Sequence, residues 1–527
     1  MRGAGRDGGG VWKGLRSVTG SWRLLSVALL SFSSGLPLGL VWLAIPAWMA
    51  RAGVDIRVIG LFTLAQAPWS FKLLWSPSMD RYPPPFLGRK RGWIVLSQVA
   101  LLGLGLRLSG VSDHPEAVWV IGALALAIAF ASATQDIAID AYAVEVLERA
   151  EQGIATGART AFYRGAMLLA GGVSITLAAE TSWAFVNLLL ALVYVPFMIV
   201  AALAPEPEAL TVPPRTLKEA VWGPFVGFLA QHRSIEILAF VVLYKLSDNL
   251  TQALTRPFLV QVGFGDFDVG VATATIGQAA AILGTLVGGV LTDRIGLGRA
   301  LWVFGFLQMA SNLGYAAVAQ VGVNRPLMYA AQAFELGSSG LGSGAFGVLL
   351  LRLTQKRFSA TQYALLSSLF TLPRVLAGPV AGVLADAIGW RDFFILTVVF
   401  GVPGMLLLAR FVPWRVRDVE FAVLAPSWGL PIARSALVRR SVVGALVTLL
   451  AGLAGVVLVG GLTALRSGHA FEVGAVLASL LRPAGVGQWL TTAGLGVLAV
   501  LGGLAAAATL AARRGIASSA NRPEKAE

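Results

Sequence analysis

The sequence predicts an all-helical protein that crosses a membrane many times, with two six-helix halves and two further helices after them. Composition is the first observation: 56% of the 527 residues are hydrophobic and 13% are charged, whereas soluble domains carry about 25% charged residues. The second is a series of apolar runs of about twenty residues, each long enough to cross a hydrocarbon core as a helix. The third is a set of motifs that recurs at nearly the same offset in both halves.

Fourteen apolar runs define the predicted spans. A helix satisfies its own backbone hydrogen bonds inside a bilayer, so each run is expected to be helical. The first run is too long for the core of a signal peptide, and we expect it to remain as a span. In chain order the limits are 22–47, 58–79, 92–109, 117–139, 154–179, 184–204, 236–260, 269–291, 299–319, 327–351, 362–385, 391–411, 441–464 and 485–511.

Breaks rich in proline, glycine and charge divide the chain into predicted domains. The two six-helix bundles are expected at 24–204 and 236–411. In the linker between them only the apolar part is expected to fold, as an interfacial helix near Leu217–Leu229. The other predicted segments are the cytoplasmic tail 1–23, the linkers 205–235 and 412–440, the two additional transmembrane helices at 441–511, and the cytoplasmic tail 512–527.

The net charge of +14 is a signal of topology. If the N-terminus is cytoplasmic, most lysines and arginines fall in the tails and loops of the cytoplasmic side, as the positive-inside rule requires. We therefore predict a protein of a bacterial inner membrane, with both termini in the cytoplasm. Lipid surrounds it, no nucleic acid is expected as a partner, and a monomer is the default for this architecture.

Two Asp-Arg pairs mark an internal repeat. Asp80-Arg81 follows the second span, and Asp293-Arg294 follows the eighth, 213 residues later. Two six-helix halves related by an axis along the membrane normal describe the major facilitator architecture. The sequence around Asp293, Gly-x-x-x-Asp-Arg-x-Gly, is similar to the signature of that superfamily. We predict gating loops at these four residues, because an acid and a base at a helix end can lock the halves together.

Ionisable side chains inside the apolar runs are the candidate site, because charge at bilayer depth is costly and usually faces a cavity or a partner. Bases outnumber acids among them, five (Lys72, Arg164, Lys245, Arg256 and Arg374) to four (Asp136, Asp140, Asp248 and Glu335). The excess favours an anionic solute, since Arg binds carboxylate or phosphate bidentately. Arg164 and Arg374 lie deep in the fifth and eleventh spans, 210 residues apart. The predicted substrate-binding residues are Lys72, Gln135, Arg164, Lys245, Gln252 and Arg374.

Buried acids are the candidates for proton coupling, since burial and a nearby cation act on a carboxyl pKa in opposite directions. The candidates are Asp136, Asp140, Asp248 and Glu335. Two plainer interpretations stay open: Lys245 and Asp248 as a mere intrahelical ion pair, and Asp136 with Asp140 as a structural lock. The proton gradient replaces any cofactor. No metal site is expected, because the chain has no cysteine and only three histidines.

Longer motifs resemble those of the AmpG muropeptide permeases, in order over roughly residues 24–412. They are FKLLWSPSMDRY at 71–82, PPF at 84–86, GRKRGW at 88–93, QDI at 135–137 with Asp140, LYKL at 243–246 with Asp248, ASNLGY at 310–315, FSATQYALLS at 358–367 and RV with GPVAG at 374–382. The resemblance implies proton-driven import of N-acetylglucosaminyl-1,6-anhydro-N-acetylmuramic acid, with or without peptide, from periplasm to cytoplasm. It also implies a role in cell-wall recycling and a link to β-lactamase induction. Residues 413–527 match only in their general layout.

Other function classes are weighed against this one. Within transporters, an exporter or a carrier of another organic anion, such as an acetyl-CoA-like solute, stays open. A membrane channel or receptor would not need paired Asp-Arg loops. An enzyme would want a cluster of histidines, carboxylates or a nucleophile with its base. We find no such cluster, and we interpret the glycine-rich run 337–344 as helix packing through small residues.

Overall fold

The computed structural model describes residues 18–114, 117–207, 213–231, 233–419, 421, 433–467 and 471–513. Within those ranges the chain forms helices joined by short loops, without a β-sheet. This confirms the predicted all-helical class. The predicted tails 1–23 and 512–527 lie largely outside the described residues, and the linker 412–440 lies partly outside them.

In the described part of the chain, fourteen helical segments, α1 to α14, follow the fourteen predicted spans. The first six are α1 Trp22–Arg51, α2 in short pieces from Ile56–Phe62 to Ser76–Arg81, α3 Arg91–Val111, α4 Val118–Val146, α5 Arg149–Glu180 and α6 Trp183–Leu203. The next six are α7 in two pieces, Ser234–Leu243 and Leu246–Val262, then α8 Asp266–Ile295, α9 Leu297–Val321, α10 Arg325–Leu353, α11 Ser359–Ile388 and α12 Trp390–Phe411. The last two are α13 Arg434–Ser467 and α14 Val486–Arg513, with a short helix Val473–Leu481 between them.

Eleven helices among the described residues are long and apolar enough to cross a membrane. The three segments outside that group are α2, α7 and α11. Two of them are visibly interrupted: 3-10 turns divide α2, and α7 breaks at Tyr244 and Lys245. A broken helix leaves backbone groups and side chains free to line a polar interior. Each interruption holds one of the charged candidates, Lys72 in α2 and Lys245 in α7.

Small residues make the closest helix contacts around α8. A Cβ atom on Gly340 of α10 would lie 2.5 Å from the carbonyl oxygen of Ala281, and one on Gly344 would lie 2.8 Å from the amide nitrogen of Gly289. α5 is also close to α8, since a Cβ atom on Gly157 would lie 2.9 Å from the carbonyl oxygen of Thr285. The glycine-rich run 337–344 therefore packs helices, as its sequence predicts.

The first six helices meet the last six mainly through α5 and α11. α5 packs against α8 and α10, and α11 packs against α2 and α4. The hydrogen bonds that cross this interface cluster at the end of the molecule where α2 ends, α5 begins and α11 begins. In the predicted topology this is the cytoplasmic end.

The linker helix, Leu217–Leu229, has the same bounds as the predicted interfacial helix. Its apolar side faces protein, because Phe225, Val226 and Phe228 are buried in the largest core cluster. The side-chain amide of Gln362 in α11 donates to the carbonyl oxygen of Pro224 at 2.9 Å. The helix thus packs against the end of the bundle, and α14 packs on it in turn.

Candidate functional site

Asp80, at the end of α2, caps the first turn of α11. Its carboxylate, fully buried, accepts the backbone N–H groups of Ala360 at 3.2 Å and Thr361 at 2.9 Å, and the Thr361 hydroxyl at 2.8 Å. The first N–H groups of a helix have no partner inside the helix and carry partial positive charge, so an anion there is stabilising. The ammonium group of Lys90 also binds this carboxylate, at 2.7 Å.

Asp293, at the end of α8, makes the equivalent cap in the other direction. Its two carboxylate oxygens accept the backbone N–H groups of Gly153 at 2.8 Å and Ile154 at 2.7 Å, near the start of α5. Each half therefore places one acid on a helix start of the other half. The sequence repeat predicts both acids, and the geometry shows what each one contacts.

The arginines of the two Asp-Arg pairs do not take part in these caps. The Arg81 guanidinium lies 5.1 Å from the ring centre of Tyr82, and Arg294 is exposed at the surface. The basic partners of Asp80 are instead Lys90 and Arg89, whose guanidinium also binds Glu145 at 2.9 Å. At both loops the contact between the halves thus comes from the acid of the pair, which binds a helix start of the other half.

The acids of α4 lie in a buried cluster. The Asp140 carboxylate binds the Arg159 guanidinium of α5 and lies 3.4 Å from the Lys72 ammonium of α2. Asp136, one turn away, accepts the Ser34 hydroxyl of α1. Three helices of the first half therefore converge on two carboxylates. The arrangement holds two acids beside two bases in a site with little water, where their charges act on one another strongly.

Arg159 is a site residue that sequence reasoning missed. Its guanidinium lies 5.9 Å from the ring centre of Tyr363 on α11, in addition to its bond with Asp140. It therefore joins the acid cluster of the first half to the helix that Asp80 caps. A count of residues places Arg159 near the start of the predicted span 154–179, a position typical of a side chain that reaches the interface.

Gln135 lies beside this cluster and faces α1. Its side-chain amide, fully buried, donates to the Ser33 hydroxyl at 2.7 Å. Gln98 of α3 donates to the same hydroxyl at 3.3 Å. The contacts of Gln135 are thus with neighbours inside the first half.

A second buried cluster lies in the other half, around the break in α7. The Lys245 ammonium binds the Asp248 carboxylate at 3.0 Å, the side-chain oxygen of Gln308 and the carbonyl oxygen of Ser339 at 2.9 Å. Contacts with α9 and α10 exclude the interpretation of Lys245 and Asp248 as only an intrahelical pair. One turn further, the Gln252 amide donates to the Glu335 carboxylate at 2.9 Å.

Arg164 of the first half and Arg374 of the second half are close enough for their charges to interact. The Arg374 guanidinium lies 5.9 Å from the Trp42 ring centre of α1, so this residue of α11 also contacts the first half. Arg374 is exposed and Arg164 is half-buried.

No group of three or more His, Cys, Asp or Glu side chains that could hold a metal ion is found within the part of the chain that the structure describes. The site consists of two clusters of paired charges, one in each half, with two arginines between them. A polar path between two helix bundles that close on each other at one end is the construction of an alternating-access transporter.

Comparison with known proteins agrees with this class. The sequence profile of the Major Facilitator Superfamily matches residues 27–377. The chain is 42% identical over 382 residues, 72% of its length, to the anhydromuropeptide permease of Escherichia coli strain K12, of which it covers 78%. It is 28% identical to the putative transporter AmpG 4 of Rickettsia conorii, covering 73% of this chain and 96% of that protein. The crystallised proton:xylose symporter XylE shares the fold, with a TM-score of 0.56 at 11% identity over 74% of this chain and 96% of the symporter.

The chain belongs to the Major Facilitator Superfamily and, within it, to the AmpG-type permeases. It is a multi-pass membrane transporter of a small molecule, and its relatives are permeases, not enzymes.

Proposed function

We propose that this protein imports anhydro-muropeptides: N-acetylglucosaminyl-1,6-anhydro-N-acetylmuramic acid, alone or with its peptide. Import runs from the periplasm to the cytoplasm of a bacterial inner membrane, is coupled to protons, and serves cell-wall recycling. In a strain with an inducible β-lactamase it also supplies the inducing fragments. The transporter works as a monomer in lipid, with both termini in the cytoplasm.

The observation that carries the proposal is the 42% identity with the E. coli anhydromuropeptide permease over 382 residues. That alignment length covers most of the two six-helix bundles, so it reaches the helices that hold both charge clusters. A relationship of this extent is stronger support for a shared substrate class than the fold, because one fold serves many functions.

The charges in the space between the halves support an anionic substrate. Among the charged substrate-binding candidates, Arg164 and Arg374 are the two that solvent can reach. Each guanidinium group is planar and presents paired N–H donors that match the two oxygens of a carboxylate. The lysines are already paired, Lys245 with Asp248 and Lys72 with Asp140. A substrate carboxylate would therefore meet the two arginines before it met either lysine.

Glu335 is the acid best placed to carry the coupling proton. It is 1% exposed, it accepts a hydrogen bond from Gln252 of α7, and its charge acts on Arg164 of the opposite half. Protonation of Glu335 would remove a negative charge near Arg164 and so strengthen the attraction of Arg164 for an anion, and loss of the proton would favour release of that anion. In this mechanism, one proton would bind to and leave Glu335 each time the two halves open and close.

Uptake into inside-out and right-side-out vesicles tests the proposal. Labelled anhydro-disaccharide should accumulate in right-side-out vesicles energised by a respiratory substrate, and an uncoupler should abolish the accumulation. Arg374→Gln should abolish uptake, whereas Arg391→Gln, at the exposed start of α12, is the matched control and should leave it intact. Uptake that continues with the uncoupler, or accumulation only in inside-out vesicles, would contradict the coupling or the direction.

A further inference from the structure

Two tryptophans of the first half meet beside Arg374. Trp42 lies in the π-helical turn Leu40–Ala44 of α1, and Trp69 lies in the short helix Ala67–Phe71 of α2. Their ring centres are 6.3 Å apart and the ring planes are perpendicular, at 89°. Both side chains are half-buried. Two irregular segments thus present two aromatic rings to one place.

The indole N–H groups of this pair lack acceptors. Nε1 of Trp42 and Nε1 of Trp69 are both buried and have no hydrogen-bond partner among the described residues. In a perpendicular pair only the ring that points its edge at its neighbour can direct an N–H group into the other ring. At least one donor therefore stays unsatisfied, which is costly in a low-dielectric interior unless a ligand supplies an acceptor.

Arg374 completes a set of groups that only donate. Its guanidinium lies over the Trp42 ring at 5.9 Å from the centre, and the side chain is exposed. Trp and Arg offer N–H donors and flat faces but no acceptors. A peptide backbone brings carbonyl acceptors but no rigid apolar face that could pack on the two rings. A pyranose ring with an N-acetyl group brings an apolar C–H face, several oxygen acceptors and a carbonyl.

We propose that Trp42 and Trp69 form the saccharide subsite of this transporter. The C–H face of an N-acetylated pyranose packs on the aromatic rings, and its acetamido carbonyl accepts an indole N–H. Where the sugar carries a free carboxylate, that group binds Arg374. The inference rests on the proposed function for the substrate class, and it adds the part of the substrate that these residues recognise. The peptide, by contrast, lies outside this subsite.

The test measures uptake kinetics of the labelled anhydro-disaccharide without peptide and of its tripeptide form. Trp42→Phe and Trp69→Phe remove the N–H group and keep an aromatic ring. Each should raise KM about two- to tenfold, which is the effect of losing one hydrogen bond. The factor should be the same for both substrates, and kcat should not change. Trp42→Leu, which also removes the ring, should raise KM further. Trp48→Phe is the matched control, because Trp48 stacks on Trp183 at 5.3 Å in the core of the same half; its KM should stay within twofold.

The outcomes separate this inference from the proposed function. If the unaltered protein does not take up the disaccharide, the proposed function fails. If it does, and both Phe variants keep the KM of the unaltered protein, the subsite is overturned. A KM change confined to the tripeptide form, or competition by the free tripeptide that the Phe variants abolish, would assign the tryptophans to the peptide and also overturn it. The Phe variants carry the test even if Trp42→Leu fails to fold.

Discussion

Asp80→Asn is predicted to open the end of the transporter where α2 ends and α11 begins. Asn has the volume of Asp but no charge, and one of its two terminal atoms is a donor. The Asn side chain would face the N–H groups of Ala360 and Thr361 and the Thr361 hydroxyl. All three groups donate hydrogen bonds to the Asp80 carboxylate, at 2.8–3.2 Å. The variant therefore weakens a contact that exists only when the two halves are closed at this end.

The size of the effect follows from which contacts cross the interface. Lys90 belongs to the same half as Asp80 and stays beside it in both states, so the loss of that ion pair does not shift the equilibrium. Three bonds to α11 do cross. A hydrogen bond to a charged group is worth about 1.5–3 kcal/mol, and Asn keeps one acceptor, so we expect a shift of about 2–4 kcal/mol. That corresponds to about 30- to 700-fold towards the open state.

Cysteine labelling measures this shift, because the chain has no cysteine of its own. Thr156 is 3% exposed at the contact between α5 and α10, where it packs against Gly347. A Thr156→Cys protein should react slowly with a maleimide and faster, by about the factor above, when Asp80→Asn is added.

Asp268→Asn is the matched control. Asp268 accepts bonds from Arg325 at 2.7 Å and Tyr329 at 3.0 Å, all within the last six helices and at the opposite end of the bundle. It should leave the labelling rate unchanged. Equal rates for Asp80→Asn and the unaltered protein would refute the view that this cap holds the halves together.

Three further predictions concern the other charged groups. Asp293→Asn should raise the labelling rate by a smaller factor than Asp80→Asn, since it weakens two interface bonds and not three; a larger factor would contradict the ranking. Glu335→Gln should abolish accumulation driven by an imposed pH gradient while substrate counterflow continues; unchanged accumulation would remove Glu335 from coupling. Arg159→Lys keeps the charge beside Asp140 but loses the planar contact with Tyr363, and should slow transport at least about tenfold at unchanged KM; full activity would leave Arg159 a structural role only.

Much of the fold could be predicted because the bilayer imposes it on the sequence. Each apolar run corresponds to a helical segment, and the linker helix has the predicted bounds, Leu217–Leu229. Asp80 and Asp293 stand out because two loops repeat the same short motif. These features depend on residue type and order along the chain, which the sequence states directly.

The partners of the charged residues could not be predicted in the same way. Asp80 binds residues 280 and 281 positions further along the chain, and no local pattern connects them. Helix rotation is also hidden, because lipid and protein core both favour apolar side chains, so a span shows little polarity difference between its faces. Arg159 was missed because a basic residue near the start of a predicted span is expected to reach the membrane interface. Trp42 and Trp69 were missed because tryptophan is ordinary in a membrane span.

The central claim is that two bundles rock about a shared polar space, so that one end opens as the other closes. Spin-label distances at both ends test it most directly in the cysteine-free chain. Suitable exposed positions are Tyr82 with Arg294 at the end that the caps close, and Ala52 with Phe267 at the other. Asp80→Asn should lengthen the first distance and shorten the second. Distances that change in the same direction, or a first distance that does not change, would contradict it.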